Sequence, residues 1–217
     1  MTRSALSKRY IAIAIVMLLL GIVAGYFFPM VFSHQLAPSL KELTTIAART
    51  KEAHSWWLTF GTIFLHNTAA MVAMMIFGSV LCVYPMFILW TNGLVVGYLA
   101  ITIYQTRGIL PWKMFVYGIL PHGIFELSAF IWAAAIGIAN GIAVIRYFGW
   151  QFSRHLQDSE MTSGLLTTRE SGASIYLRPL VGRSLRSLPY IIILLLIAAL
   201  VETSVTPLLI AHVMNKT

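Results

Sequence analysis

The sequence predicts an all-α protein: a polytopic transmembrane bundle of about five spans, with a short re-entrant or interfacial helix and an amphipathic surface helix. Two observations predict this fold. Of the 217 residues, 59% are hydrophobic and only 10% are charged, whereas soluble domains carry about 25% charged residues. The apolar residues also gather in runs that reach the ~20 residues a helix needs to cross a bilayer. The whole chain, residues 1–217, is therefore expected to form a single integral membrane domain.

The first two predicted elements come from residues 10–32 and 33–55. Residues 10–32 are apolar and follow three basic residues. This run is longer than the apolar core of a signal peptide, so an uncleaved membrane anchor is predicted. Residues 33–55 mix charged and apolar side chains, which suits a short amphipathic helix outside the bilayer.

Two further spans are expected within residues 56–106, because this stretch contains no Lys, Arg, Asp or Glu and is long enough for both. Pro85 and its neighbours form the expected break between them. The predicted spans are residues 57–83 and 85–104, joined by a very short link.

The next apolar run, residues 114–145, is too long for one upright span. Pro121 disfavours helical structure in the residue before it. Pro121 therefore divides this region into a short interfacial or re-entrant piece at residues 112–120 and a span at residues 121–145.

The polar segment at residues 146–187 precedes the last predicted span, residues 188–213. Arg178, Arg183 and Arg186 lie opposite an apolar helical arc, which predicts a helix at the membrane surface. Five spans put the two ends of the chain on opposite sides of the membrane. Nine of the 15 Lys and Arg residues fall on the cytoplasmic side if the N-terminus and the polar segment lie there. The positive-inside rule therefore favours a cytoplasmic N-terminus in the cell membrane.

The net charge of +8 is explained by basic loops beside anionic lipid. Nucleic acid is not an expected partner, because no basic run is interleaved with aromatic residues. The single Cys82 excludes an intrachain disulfide. The common metal, phosphate and dinucleotide motifs of soluble enzymes are absent from the sequence.

Three predicted spans carry pairs of glycines four residues apart, a spacing that lets helix backbones approach closely in lipid. The pairs are Gly21 and Gly25, Gly93 and Gly97, and Gly137 and Gly141. They predict a compact bundle and a possible homo-oligomer, and they do not by themselves indicate chemistry.

Two carboxylates lie inside the apolar runs, Glu126 and Glu202. A carboxylate in hydrocarbon costs several kcal/mol unless it faces protein, water, a proton or a metal. His122 precedes Glu126 by one helical turn and shares its face. The opposite face, from Ile124 through Ile138 to Ile145, is expected to face lipid.

Further polar residues extend this candidate cluster. They are His66, Asn67, Asn140 and Thr206. At ~1.5 Å of rise per residue, the two glutamates and the pair at positions 66 and 67 reach roughly 8–14 Å below the outer face of a ~30 Å core. Independent segments thus bring polar groups to one level.

Three interpretations of this cluster remain open. It can be a buried hydrogen-bond network that supports the fold. It can exchange protons or ions, because a carboxylate in hydrocarbon can take up and release a proton near neutrality. It can also be a metal or acid–base site for hydrolysis or acyl transfer, since His with two Glu is a zinc ligand set and two carboxylates in unlike environments can divide acid and base roles.

Three segments resemble a known family. Residues 119–127, ILPHGIFEL, and 201–207, VETSVTP, resemble the two signature segments of the stage II sporulation protein M family, and residues 64–68, FLHNT, resemble its third, weaker segment. Ser128 stands where the family often has proline, which affects only local helix geometry.

The resemblance implies a multi-pass membrane protein. The sporulation member is a scaffold for peptidoglycan-degrading partners, and other members are needed for maturation of circular bacteriocins. We therefore expect a subunit or scaffold of a membrane-bound assembly, with cell-envelope proteins or a hydrophobic peptide as partner. The alternatives are an intramembrane hydrolase or transacylase and a proton- or ion-coupled transporter. The family has no agreed catalytic residues, so zinc and catalysis rest only on the residues Glu126, Glu202 and His122.

Overall fold

The computed structural model describes residues 8–53, 55–160 and 175–214. These residues are almost entirely helical, and no strand occurs among them. The predicted all-α bundle is confirmed. The helices are α1 (Lys8–Phe27), α2 (Pro29–Ala53), α3 (Trp56–Val80), α4 (Tyr84–Arg107), α5 (Pro111–Lys113), a π-helix (Met114–Ile119), α6 (Leu120–Glu160), α7 (Arg178–Ser204) and α8 (Thr206–Met214).

Five helical segments in the described part of the chain are long and apolar enough to cross a membrane. They are Lys8–Phe27, Trp56–Val80, Tyr84–Arg107, Pro111–Ser153 and Arg178–Ser204. Each overlaps one of the five predicted spans. Their lipid-facing sides are covered with exposed Leu, Ile, Val and Phe. A bilayer favours this arrangement, because lipid tails are as apolar as these side chains and burying them gives no gain in free energy.

Helices α1 and α4 cross where their glycines meet. A Cβ atom added to Gly93 would lie 2.9 Å from the Cα atom of Gly21, and one added to Gly25 would lie 2.9 Å from the Cα atom of Leu94. Gly97 faces the next turn of α1, at Tyr26. Residues later in α1 therefore contact residues later in α4, so the two helices run parallel.

Helix α6 lies at the centre of the bundle, between α3 and α7. A Cβ atom added to Gly78 of α3 would lie 2.6 Å from the Cα atom of Gly137, and Gly141 packs against Cys82. Small residues make this close approach possible. Besides Gly123, Gly137 and Gly141, the buried residues of α6 are Ala129, Phe130, Ala133, Ala134, Ala135, Ile136, Ile138, Ala139 and Asn140.

This central position corrects one expectation. Ile124 and Ile145 are 55% and 58% exposed, as expected of a lipid-facing side. Ile138 is only 3% exposed. The middle of α6 is surrounded on all sides because α1, α3, α4 and α7 all pack against it, so its apolar face does not reach lipid there.

Proline determines two helix boundaries. The first apolar run is not one helix to residue 32, because α1 ends at Phe27 and α2 begins at Pro29. The proline disfavours a helical conformation at Phe28 and has no N–H to continue the helix. At Pro121 the helix continues, but a π-helix replaces the α-helix just before it, since the missing N–H frees a carbonyl one turn back.

Two polar segments extend the spans instead of forming separate elements. Helix α6 runs 41 residues to Glu160, or about 60 Å at ~1.5 Å per residue, twice the thickness of the hydrocarbon core. The basic segment around Arg183 is continuous with the last span in α7, which carries Pro189 inside it. The predicted surface helix is therefore the first part of this helix.

Candidate functional site

Three side chains that can donate or accept protons or bind a metal converge between α6 and α7. His122 and Glu126 lie one turn apart on α6, and Glu202 comes from α7. One ligand atom from each of these residues lies within 4.8 Å of the others. All three side chains are partly buried. We call these three residues the His–Glu–Glu cluster.

Two residues outside the cluster hold its members by hydrogen bonds. The Nδ2 atom of Asn67, on α3, donates to Oε1 of Glu126 at 3.0 Å. The Nδ1 atom of His122 lies 3.2 Å from Oγ1 of Thr206, which is only 6% exposed. Four elements, α3, α6, α7 and α8, thus position the cluster and its partners.

The local sequence explains why the helices present these groups. Helix α7 stops at Ser204 and α8 starts at Thr206, because Pro207 cannot donate a hydrogen bond to the preceding turn. This step between the helices turns Thr206 inward. Near the start of α6, Gly123 is buried, and a Cβ atom there would lie 3.2 Å from the side chain of Ile119.

The two carboxylates of the cluster have unequal environments. Glu126 accepts a hydrogen bond from Asn67, whereas no hydrogen bond to Glu202 occurs within the described residues. Two negative charges about 5 Å apart repel each other by about 3–4 kcal/mol at an effective dielectric constant of about 20. No Lys or Arg side chain forms an ion pair with either carboxylate in the described part of the chain. The cluster therefore favours a proton or a cation between its carboxylates.

Two of the predicted polar residues do not join the cluster. His66 is exposed and is not among the three converging side chains. Asn140 is 1% exposed and lies fourteen residues beyond Glu126 on α6, or about 21 Å along the helix. Its amide instead donates to Oγ of Ser184 at 2.9 Å, and its Oδ1 accepts from Arg183 at 2.8 Å.

The three arginines assigned to the membrane surface also separate. Arg178 and Arg186 are exposed, whereas Arg183 is only partly exposed and its guanidinium binds Asn140. The Nε atom of Arg183 is buried and has no hydrogen-bond partner in the described residues. Arg183 is therefore part of the α6–α7 interface, and only the other two present their charge freely to the surroundings.

Sequence reasoning missed four residues with polar groups at or near the helix interfaces, Ser184, Trp56, Ser204 and Thr68. Ser184 completes the Asn140 network. The indole N–H of Trp56 donates to Oγ of Ser204 at 3.2 Å, which ties the start of α3 to the end of α7. The buried hydroxyl of Thr68 has no hydrogen-bond partner among the described residues. The only sign of Ser184 in the sequence is that it is a polar residue at helical spacing. No feature of the sequence pairs Trp56 with Ser204.

Comparison with known proteins gives the family. Neither curated proteins nor solved structures include a match to this chain. The family profile of stage II sporulation protein M matches residues 14–207. This range covers most of the chain and contains the whole His–Glu–Glu cluster together with Asn67 and Thr206. The chain therefore belongs to the stage II sporulation protein M family.

Proposed function

We propose that this multi-pass membrane protein acts on a hydrophobic, membrane-embedded peptide, by hydrolysis or acyl transfer at the His–Glu–Glu cluster. The observation that carries the proposal is the convergence of His122, Glu126 and Glu202 within 4.8 Å. Two carboxylates and an imidazole supply the acid, the base and the charge stabilisation that such reactions require. The protein then serves a membrane-bound assembly as its chemically active subunit.

The environment of Glu202 favours chemistry over a purely structural network. A structural network stabilises a membrane protein only if its buried polar groups are satisfied by hydrogen bonds. Glu126 meets this condition through Asn67, but Glu202 has no hydrogen bond to the described residues. A partly buried carboxylate that is left available is what a proton, a water or a substrate group would bind.

The surroundings of the cluster favour an apolar substrate. The helices that carry these residues have exposed apolar side chains at the same level, such as Leu65, Ile124 and Leu200, at 66%, 55% and 38% exposure. A soluble substrate would have to leave water to pass them, whereas a hydrophobic peptide already lies in the bilayer. We therefore assign the substrate to the membrane phase.

The proposal is tested by complementing a deletion strain with wild-type protein, Glu126→Gln, Glu202→Gln or Ser128→Ala, and by identifying membrane-associated peptides by mass spectrometry. Glutamine preserves size and hydrogen bonding but removes the acid. Ser128 is exposed on the same helix and donates only to its own helix, at Ile124, so it is the matched control. We expect uncleaved or unjoined peptide to accumulate in the deletion and in both glutamine variants, and not with wild type or Ser128→Ala.

Two outcomes contradict the proposal once immunoblots show equal protein in the membrane. If both glutamine variants restore the peptide pattern, the cluster only supports the fold and a scaffold role replaces the catalytic one. If no peptide changes but the glutamine variants abolish proton or ion flux into proteoliposomes, the protein is an ion-coupled transporter. In either case, Ser128→Ala must behave as the wild type does in the same measurement.

A further inference from the structure

We propose that His122, Glu126 and Glu202 bind one divalent cation of the zinc type, directly and in the membrane interior. The proposal deepens the catalytic role given above, because it assigns the same three side chains to an ion. It does not depend on that role, because bound metal can be measured without a substrate. The geometry, the hydrogen-bond pattern and the charge balance each support it.

The geometry suits a three-ligand site. Ligand atoms about 2 Å from a zinc ion stand roughly 3–4 Å from one another, and one atom from each residue already lies within 4.8 Å of the others. Rotation of the two glutamate side chains would have to close the remaining distance. One imidazole and two carboxylates are a ligand set that zinc accepts, and three protein ligands leave a fourth position open.

The contacts of Thr206 favour one tautomer of His122. The Thr206 hydroxyl has one proton, and it points to the carbonyl oxygen of Val201 at 3.4 Å. In this arrangement the hydroxyl oxygen is free to accept from His122, and we assign the 3.2 Å contact as a hydrogen bond from Nδ1–H of the imidazole. In a neutral ring with this tautomer the other nitrogen, Nε2, carries no proton, which is the form in which histidine binds a metal.

Glu126 is prepared in the same way. Its Oε1 atom accepts from Asn67, which fixes the carboxylate and leaves Oε2 available. Outer hydrogen bonds of this kind orient metal ligands in known sites. Glu202 has no such bond to the described residues, and it would be held by the ion itself.

Charge balance gives the third argument. Two carboxylates in hydrocarbon are costly, and no Lys or Arg pairs with them in the described part of the chain. One divalent cation neutralises both, whereas a monovalent cation or a proton leaves one negative charge. Imidazole and carboxylate together suit zinc and similar transition metals, while magnesium and calcium favour oxygen ligands alone. A bound ion would act as a Lewis acid and would make it easier for a bound water to lose a proton and become hydroxide.

The test measures metal in the full-length protein, purified with a tag that lacks histidine. The protein is stripped with EDTA, dialysed against a zinc salt, and analysed by inductively coupled plasma mass spectrometry. We expect one zinc per chain in the wild type and in His34→Ala, because His34 is an exposed histidine on α2. His122→Ala and Glu202→Gln should lose the bound zinc. Cobalt in place of zinc should give the visible absorption of a four-coordinate site in the wild type and in His34→Ala, and not in His122→Ala or Glu202→Gln.

Thr206→Val keeps the test valid if His122→Ala does not fold. Valine preserves the shape but removes the hydrogen bond to His122, and we expect about 10–100-fold weaker zinc binding, as for other outer-sphere partners. Equal zinc in wild type, His122→Ala and Thr206→Val, or no zinc in the wild type, overturns the site. Zinc lost from Glu202→Gln while peptide processing persists upholds the ion and overturns the catalytic role. If the glutamine variants are inactive but the wild type binds no zinc, the catalytic role is upheld and the zinc site is overturned.

Discussion

At the residue scale, polar side chains join α6 to α7 at two places, the His–Glu–Glu cluster and the contacts of Asn140. A carboxylate in an apolar run is informative wherever it occurs, so Glu126 and Glu202 could be predicted as candidates, and the structure brings them together with His122. Asn140 shares a helical face with Glu126, so helical spacing predicts that the two belong to one cluster. Its partners are Ser184 and Arg183 on another helix, and helical spacing alone carries no information about a neighbouring helix.

The Asn140 network gives a prediction at this scale. Asn140→Ala removes both the acceptor for Arg183 and the donor to Ser184, which leaves a partly buried cation with fewer partners. We expect a loss of stability of about 0.6–1.7 kcal/mol, which lies between the average and the maximum measured for hydrogen bonds between membrane helices. Thermal unfolding in detergent measures it.

Asn92→Ala is the matched control for this change. Asn92 is partly buried on α4 and its amide donates only to the carbonyl oxygen of Ile88 in its own helix, so its loss separates no helices. An equal decrease in the two variants would show that Asn140 contributes no more than local helix structure, and the proposed link between α6 and α7 would be wrong.

At the element scale, the number and order of the helices follow from the apolar runs, because ~20 apolar residues have one stable form in a bilayer. Helix ends are less predictable. Helix α6 continues through polar residues to Glu160, since a helix that leaves the membrane exchanges lipid for water without losing its own hydrogen bonds. The pairing of helices cannot be predicted from the glycine motifs alone. The motifs indicate which helix surfaces can approach closely, but they do not indicate which two surfaces meet.

The α1–α4 crossing can be tested with a single methyl group. Gly93→Ala places a Cβ atom 2.9 Å from the Cα atom of Gly21, a distance that only backbone separation can relieve. Gly61→Ala on α3 is the control, because a Cβ atom there meets nothing within 4 Å. Alanine favours a helix over glycine by up to about 1 kcal/mol. We therefore expect Gly61→Ala to raise the unfolding temperature and Gly93→Ala to lower it. Two variants that change stability in the same direction would argue against close packing at this crossing.

At the scale of the whole molecule, one end of the bundle carries more basic residues than the other. Helix α4 starts where α3 ends and runs parallel to α1, so the N-terminus of α1, with Lys8 and Arg9, lies at that end. Helix α7 is antiparallel to α6, because Glu202 meets Glu126 while Ser184 meets Asn140. The basic start of α7 therefore lies at the same end. The positive-inside rule predicts that this end is cytoplasmic, which puts the His–Glu–Glu cluster in the outer half of the membrane.

This orientation can be measured by cysteine labelling in a Cys82→Ala background, since Cys82 is the only native cysteine. Lys41→Cys on α2 and Ser153→Cys on α6 are placed at exposed positions on helix surfaces. Because α2 follows the end of α1 that lies away from the basic end, a membrane-impermeant maleimide should label Lys41→Cys in intact cells. Ser153→Cys lies beyond the basic end and should react only after the membrane is permeabilised. Labelling of both cysteines from one side would contradict the five-span arrangement, and with it the common depth of the two carboxylates. Labelling with the sides exchanged would keep the bundle but would move the cluster, and any peptide it acts on, to the cytoplasmic half of the bilayer.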